Sequence, residues 1–194
     1  MKRLLISTSL AAATMLPSVA QAQAVPAATV AVVDLDRVTN ECNACKTASA
    51  ALRAQVQAYQ TREGTLAGPL QTEGKSLQAA VDALNGKEPD AALKARITAF
   101  QNRQQQGAQE LQRQQDQIKR NQAYIAQQIR AKLGPIYQQV MQRRGANLMV
   151  DINATLASSA NVDVTNDVLA ALNTALPSVQ TTAPAAPANQ TQGR

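Results

Sequence analysis

The most regular pattern in the chain is a stripe of apolar residues that recurs every three to four positions. Stepping four and then three residues from Leu52 to Leu84 meets ten positions, of which only Glu63 and Glu73 are charged. A similar stripe begins at Leu93 and continues, with one change of phase, to Val140. This spacing predicts two amphipathic helices that pack along a common seam. The predicted seam residues are Leu52, Val56, Tyr59, Leu66, Leu70, Leu77, Leu84, Leu93, Ile97, Phe100, Leu111 and Ile118.

Residues 85–90, Asn-Gly-Lys-Glu-Pro-Asp, interrupt the two stripes. Gly and Pro end a helix, and Asp90 is a suitable N-cap for the next one. We therefore expect one helix over about 40–84 and a second over 91–144. Two helices of similar length joined by a short turn lie antiparallel. Residues 40–144 are thus predicted to form a helical hairpin, which we call the arm.

The arm contains residues that disfavour a regular helix. Gly64, Gly74 and Gly107 lie within the helical pattern, and Pro69 and Pro135 each follow a glycine. An interior Gly costs up to about 1 kcal/mol and an interior Pro about 3 kcal/mol, so we expect kinks at both prolines. One interpretation is tolerated imperfection in a solvated stalk. The other is flexibility that lets the arm adapt to objects of different size.

Short extended segments flank the arm. Residues 29–33 and 147–152 are rich in β-branched and apolar residues and predict two strands, residues 161–164 are a candidate third, and 166–176 predict a short helix capped by Thr165. Residues 23–39 and 145–176 would form a small body. So few strands with so few large residues need a partner, which predicts self-association. The candidate oligomerisation residues are Val30, Val32, Val33, Leu148, Val150 and Ile152.

The two ends of the chain predict export and disorder. Lys2 and Arg3 precede an apolar run that is followed by small residues at a cleavage-like site, so residues 1–22 are expected to be a cleaved signal peptide. The expected location is the periplasm. Residues 177–194 are rich in Pro, Ala, Thr and Gln and are expected to be disordered.

Composition supports a thin helical architecture and narrows the partners. Only 2% of residues are aromatic, although 45% are hydrophobic. From residue 46 to residue 132 there are 13 basic and 7 acidic residues, a net charge of +6. A basic arm can contact anionic lipid headgroups or acidic partners at short range, while a solvated helical face is the simpler explanation. Nucleic acid is disfavoured by the export signal and the scarcity of aromatic side chains.

The sequence offers little for catalysis. It has no His and no phosphate-binding loop, so neither an enzyme nor a cofactor is expected. Asp34 and Asp36 could act as a pair of carboxylates, but they are interpreted instead as the end of a strand. Cys42 and Cys45 form a CxxC pair, which is compatible with a local or interchain disulfide, a redox centre or a metal site shared between subunits. A structural disulfide is the preferred interpretation in an oxidising compartment.

Three sequence segments in this order resemble the Skp/OmpH family of periplasmic chaperones. They are residues 30–34 (VAVVD), 148–154 (LMVDINA) and 162–173 (VDVTNDVLAALN), with the arm between the first two. The resemblance implies a homotrimer in which short strands build a barrel-like core and three arms enclose a cavity. It also implies that the cavity holds unfolded outer-membrane β-barrel proteins without ATP. A structural coiled-coil spacer or adaptor of the cell envelope is the alternative.

Overall fold

The protein is described by a computed structural model that covers residues 25–184. The expected signal peptide, residues 1–22, and residues 185–194 of the expected disordered tail lie outside the described residues. The elements in chain order are β1 (Val30–Val33), α1 (Leu35–Glu41), α2 (Asn43–Asp82), α3 (Ala91–Arg144), β2 (Leu148–Asp151) and α4 (Thr165–Ala175), with 3-10 turns at Ile152–Ala154 and Ala160–Val162. The described part is mainly helical with a small sheet.

The first helix begins earlier than the sequence pattern predicts. Asp34 ends the strand and its side chain accepts a hydrogen bond from the backbone N–H of Arg37 (2.8 Å), so α1 starts at Leu35 and not near Asn40. This is an N-cap, which satisfies a backbone donor that the first helical turn leaves free. Cys42 then leaves helical geometry with a ψ of 136°. The helical region is therefore divided at Cys42 into α1 and α2.

The arm is an antiparallel pair of long helices. Asn85 and Gly86 take positive φ values of 48° and 85° in the turn, and the Asp90 carboxylate caps α3 through the N–H of Leu93 (2.8 Å). Both α2 and α3 remain helical through Pro69 and Pro135. At 1.5 Å per residue, the 40 residues of α2 extend about 60 Å.

The sheet has two parallel strands, with β1 in the middle of the body. Val30 pairs with Leu148 and Val33 with Asp151. The candidate third strand is only a single bridge between Val32 and Asp163. Ile152, expected in the second strand, instead begins a 3-10 turn, because the Asp151 side chain accepts from the N–H of Asn153 (2.8 Å) and caps that turn.

A hydrogen-bond relay joins the start of α4 to the end of β1. Thr165 is the first helical residue and not the expected cap, since Val164 occupies the cap position. Asp163 accepts from both the N–H and the hydroxyl of Thr165 (2.8 and 2.6 Å), and these bonds hold the pKa of its carboxyl below the usual range. The Thr165 hydroxyl in turn accepts from the N–H of Asp34 (2.9 Å).

The hydrophobic core lies in the body and extends into the base of the arm. Val38, Val140, Val168 and Leu172 are completely buried. Residues at the start of α2 and near the end of α3, among them Leu133, belong to the same cluster. The predicted boundary of the arm at residues 40–144 therefore includes part of the body core. The arm proper is the portion beyond this cluster.

Candidate functional site

The seam between α2 and α3 is only half-buried. Of the twelve predicted seam residues, Leu77 is the only one that is fully buried, Val56 is 37% exposed, and the other ten are intermediate. A pair of helices shields each apolar stripe from one side only, because no third element within residues 25–184 covers most of the arm. The arm thus presents partly exposed apolar side chains along its length.

Ion pairs cross the seam on both sides of Gly107. Arg62 makes two hydrogen bonds to the carboxylate of Glu110 (2.7 and 2.9 Å), and this contact lowers the pKa of Glu110 and raises that of Arg62. Nearer the tip, Arg103 donates one hydrogen bond to the carboxylate of Glu73. Both pairs are partly exposed, so they set the register of the helices more than they stabilise them.

The glycines of the arm differ in what a side chain there would meet. A Cβ at Gly64 would have nothing within 4 Å, one at Gly107 would lie 3.7 Å from Leu66 Cδ1, and one at Gly74 would lie 3.3 Å from Phe100 Cζ. The first two sites can therefore accept alanine without rearrangement. The third requires Phe100 to shift.

We expect Gly64→Ala and Gly107→Ala each to raise the free energy of unfolding by up to about 1 kcal/mol, because alanine is the better helix former. Gly74→Ala, the matched control for crowding, should gain less. Urea unfolding followed by circular dichroism measures all three. A loss of stability in Gly107→Ala would contradict the described packing. The family resemblance implies that the arms hold unfolded proteins. Weaker binding of an unfolded protein by the stabilised double variant would indicate that the glycines serve flexibility, and unchanged binding would indicate tolerated imperfection.

An apolar groove of about 470 Å³ opens at the base of the arm. Its lining combines α1, α2 and α3, with Arg130 and Asn40 among its polar residues. The apolar lining residues are Leu35, Ala48, Leu52, Ile125, Ala126, Ile129 and Leu133. The groove includes the seam residue Leu52, so the half-buried apolar surface of the arm continues to its base.

Residues 177–184, which we call the tail segment, return from α4 and lie against the arm. Val179 packs on the body core. Four side-chain amides of the arm hydrogen-bond to the tail segment, and we call them the amide ladder: Gln55, Gln117, Asn121 and Gln128. None of these four residues lines the apolar groove. The hairpin therefore carries two separate surfaces, the apolar groove and the amide ladder, and the tail segment covers the amide ladder.

The tail segment corrects the expectation of disorder for this part of residues 177–194. Its composition lacks the apolar residues that usually order a segment, but its backbone groups are paired by the amide ladder. Asn121 is only 3% exposed beneath it. Residues 185–194 lie outside the described residues. No local sequence pattern predicts this contact, because its two halves are more than 50 residues apart.

Cys42 and Cys45 form a disulfide within the chain. Cys42 is completely buried and Cys45 is 3% exposed, in the core cluster where α1 meets α2. Among the alternatives left open by the sequence, this geometry is that of a local structural bridge. It fixes the corner from which the arm leaves the body.

The outer face of the sheet is apolar and partly exposed. Ala31 and Val33 point into the core, so their neighbours Val30 and Val32 lie on the other face. Val30 is 37% and Leu148 46% exposed, and these two residues are paired across the strands. Of the other candidate oligomerisation residues, Val32 and Val33 are buried, and Val150 and Ile152 are half-buried.

The carboxylates near the sheet have structural partners. Asp34 caps α1, and Asp36 accepts from the side chain of Asn153 (3.1 Å). Within residues 25–184, no group of three or more His, Cys, Asp or Glu side chains is arranged to hold a metal ion. In the same range, no helix has the length and hydropathy needed to cross a membrane.

These features define a class of protein in which a long helical hairpin projects from a small parallel sheet. Residues 29–172 match the family model described as outer membrane protein (OmpH-like). The chain therefore belongs to the OmpH-like family, as the three sequence segments indicated.

A solved structure shows the same fold. It is the crystal structure of an OmpH-like protein from Caulobacter crescentus CB15, with a TM-score of 0.65 and 20% sequence identity. The alignment covers 82% of this chain and 93% of that one. A comparison with curated protein sequences finds no match.

Proposed function

We propose that this protein is a non-enzymatic holding chaperone of the periplasm that binds unfolded outer-membrane β-barrel proteins without ATP. The observation that carries the proposal is the half-buried apolar seam of an arm about 60 Å long. Weak apolar contacts spread over such a length suit a partner that has no fixed shape. Membership of the OmpH-like family supports a chaperone role, and the OmpH-like protein from Caulobacter crescentus shares the fold.

We further propose that three copies assemble through the sheet. The outward apolar pair Val30 and Leu148 supports this, because a two-stranded sheet with an exposed apolar face is not self-sufficient. Three arms leaving one core would enclose a cavity. Affinity for an unfolded chain would then come from many simultaneous weak contacts rather than from one strong site.

The charge of the arm adds a weaker electrostatic contribution. Its net charge of +6 between residues 46 and 132 favours acidic segments of a client, and anionic lipid headgroups near the membrane. Because exposed charges are screened over about 8 Å at physiological salt, this attraction assists encounter more than it holds a bound chain.

Light scattering tests the holding function. A urea-unfolded outer-membrane β-barrel protein is diluted into buffer with excess chaperone and no ATP. We expect scattering to be suppressed, because the arms keep exposed apolar strands from pairing with each other. Scattering equal to that with an inert protein would instead favour a structural spacer of the envelope.

The disulfide separates a structural from a redox role. We expect Cys42→Ala/Cys45→Ala to lower the free energy of unfolding by about 2 kcal/mol, the contribution of a bridge that closes a very short loop. Alanine is chosen because serine would place unpaired hydroxyls in the core. Suppression of scattering should be retained at temperatures where the variant is folded. Loss of that activity in a folded variant would argue for a redox function.

A further inference from the structure

The amide ladder contacts the main chain of the tail segment. Gln128 makes a pair of bonds to Gln180: its Oε1 accepts from the backbone N–H (3.0 Å) and its Nε2 donates to the backbone carbonyl (2.9 Å). This two-point contact uses only groups that nearly every residue possesses. It resembles the pairing of one strand with another, with a side-chain amide in place of the second backbone.

The remaining ladder residues continue the same mode toward the tip. Asn121 Oδ1 accepts from the N–H of Ala183 (2.8 Å), and Gln117 Nε2 donates to the carbonyl of Ala183 (3.4 Å). Gln55 on the opposite helix donates to the carbonyl of Thr181 (3.2 Å). All five ladder bonds to the tail segment thus end on backbone atoms.

Side chains of the tail segment contribute little to this contact. Within residues 25–184, a tail side chain takes part in one hydrogen bond to the arm, from the Tyr124 hydroxyl to Gln180 Oε1, and it is long at 3.4 Å. Val179 anchors the segment on the body. Beyond Val179, recognition depends on the presence of a backbone and hardly on its sequence.

The ladder is also held in place by its own bonds. Gln117 Nε2 donates to Asn121 Oδ1 (2.7 Å), and Asn121 Nδ2 donates to Gln55 Oε1 (2.8 Å). This network links α3 to α2 without using the tail segment. Gln55, Gln117 and Asn121 are therefore oriented before a polypeptide binds, which lowers the entropic cost of binding.

We propose that the amide ladder is a binding site for the main chain of a non-helical polypeptide. The tail segment occupies it in the free protein, and a segment of an unfolded client displaces the tail when the client is held. This inference rests on the proposed holding function. Backbone recognition suits that function, since clients of different sequence share only their main-chain groups.

Amide-resolved hydrogen exchange on the full-length protein tests the displacement. In the free protein the N–H groups of Gln180 and Ala183 should exchange at least about tenfold more slowly than that of Thr182, which donates no hydrogen bond in the described structure. After addition of a urea-unfolded outer-membrane β-barrel protein, we expect both to exchange as fast as Thr182. Protection that persists while the client is bound would overturn the inference.

Two matched variants test the competition in the full-length chain. Gln180→Pro/Ala183→Pro removes both main-chain donors of the tail segment, and Thr181→Ala/Thr182→Ala changes side chains while keeping them. We expect the proline variant to bind a labelled unfolded β-barrel protein about five- to tenfold more tightly, as expected from removing two competing hydrogen bonds, and the alanine variant to match the original protein. Gln128→Leu in the proline variant should reverse the gain.

The outcomes distinguish this inference from the proposed function. Equal client affinity in the proline variant and the original protein would make the tail segment a structural strap, while the holding function would stand. Failure of every variant to bind the client would overturn the holding function, and the inference with it.

Discussion

Leu148→Asp is expected to dissociate the assembled protein and abolish its holding activity while leaving the arm helical. Leu148 is 46% exposed on the outer face of the sheet, beside Val30. If that face joins three copies, the substitution buries an unpaired carboxylate at each contact, which costs several kcal/mol. A trimer carries three such contacts, so micromolar protein should become monomeric. Single arms would then lack the avidity that holding requires.

Val81→Asp is the matched control for this experiment. Val81 is 39% exposed, close to the exposure of Leu148, but lies near the tip of the arm. Sedimentation equilibrium should show an unchanged oligomer for Val81→Asp and a monomer for Leu148→Asp, with similar helical circular dichroism. A Leu148→Asp variant that keeps its oligomeric state would show that the sheet face is not the assembly surface.

Leu172→Ala should lower the free energy of unfolding by about 2–5 kcal/mol, as deep core truncations of leucine do. Leu172 is completely buried between β1, α1 and α3, in a core that contains few large side chains. Its removal leaves a cavity that small neighbours such as Val140 and Val168 cannot fill. Because whole domains are stable by only about 5–15 kcal/mol, this loss should clearly lower the urea concentration at which the protein unfolds.

The same truncation at an exposed leucine provides the control. Leu156 has no shielding within the described chain, so Leu156→Ala should change stability by no more than about 0.5 kcal/mol. Both variants must be measured at one protein concentration, since assembly adds to apparent stability. Equal effects of the two substitutions would contradict the placement of the core in the body.

The hairpin is predictable because its signals are local. The apolar stripes, the turn at residues 85–90 and the cap at Asp90 each act within a few residues of sequence, and the structure contains all three. The cap at Asp34 carries a similar signal, but the adjacent strand makes Asp34 and Asp36 look like its continuation. As a result, the sequence pattern predicts too late a start for α1.

The extent of the core cannot be derived in the same way. Leu133 and Val140 follow the same periodicity as Ile118 nearer the tip, yet the first two pack in the body and Ile118 remains half-buried in the seam. Periodicity shows which face of a helix is apolar and does not show which element covers it. The core of the body depends on α4 and β1, which are distant in sequence.

The order of the tail segment cannot be predicted from the sequence, for a related reason. Its residues are mostly small, polar or proline, so composition favours disorder. Its order depends on amides such as Asn121, which precedes its partner Ala183 by 62 residues. Nothing distinguishes Asn121 in sequence from the many other amides of α3.

The mass of the complex with one unfolded client tests the holding function most directly. Native mass spectrometry of the protein mixed with a urea-unfolded outer-membrane β-barrel protein, without ATP, counts the copies of each partner. We expect a complex of about one trimer with one client, as binding by several arms at once requires. Separate chaperone and aggregated client, with no complex between them, would contradict the proposal that the arms hold unfolded chains.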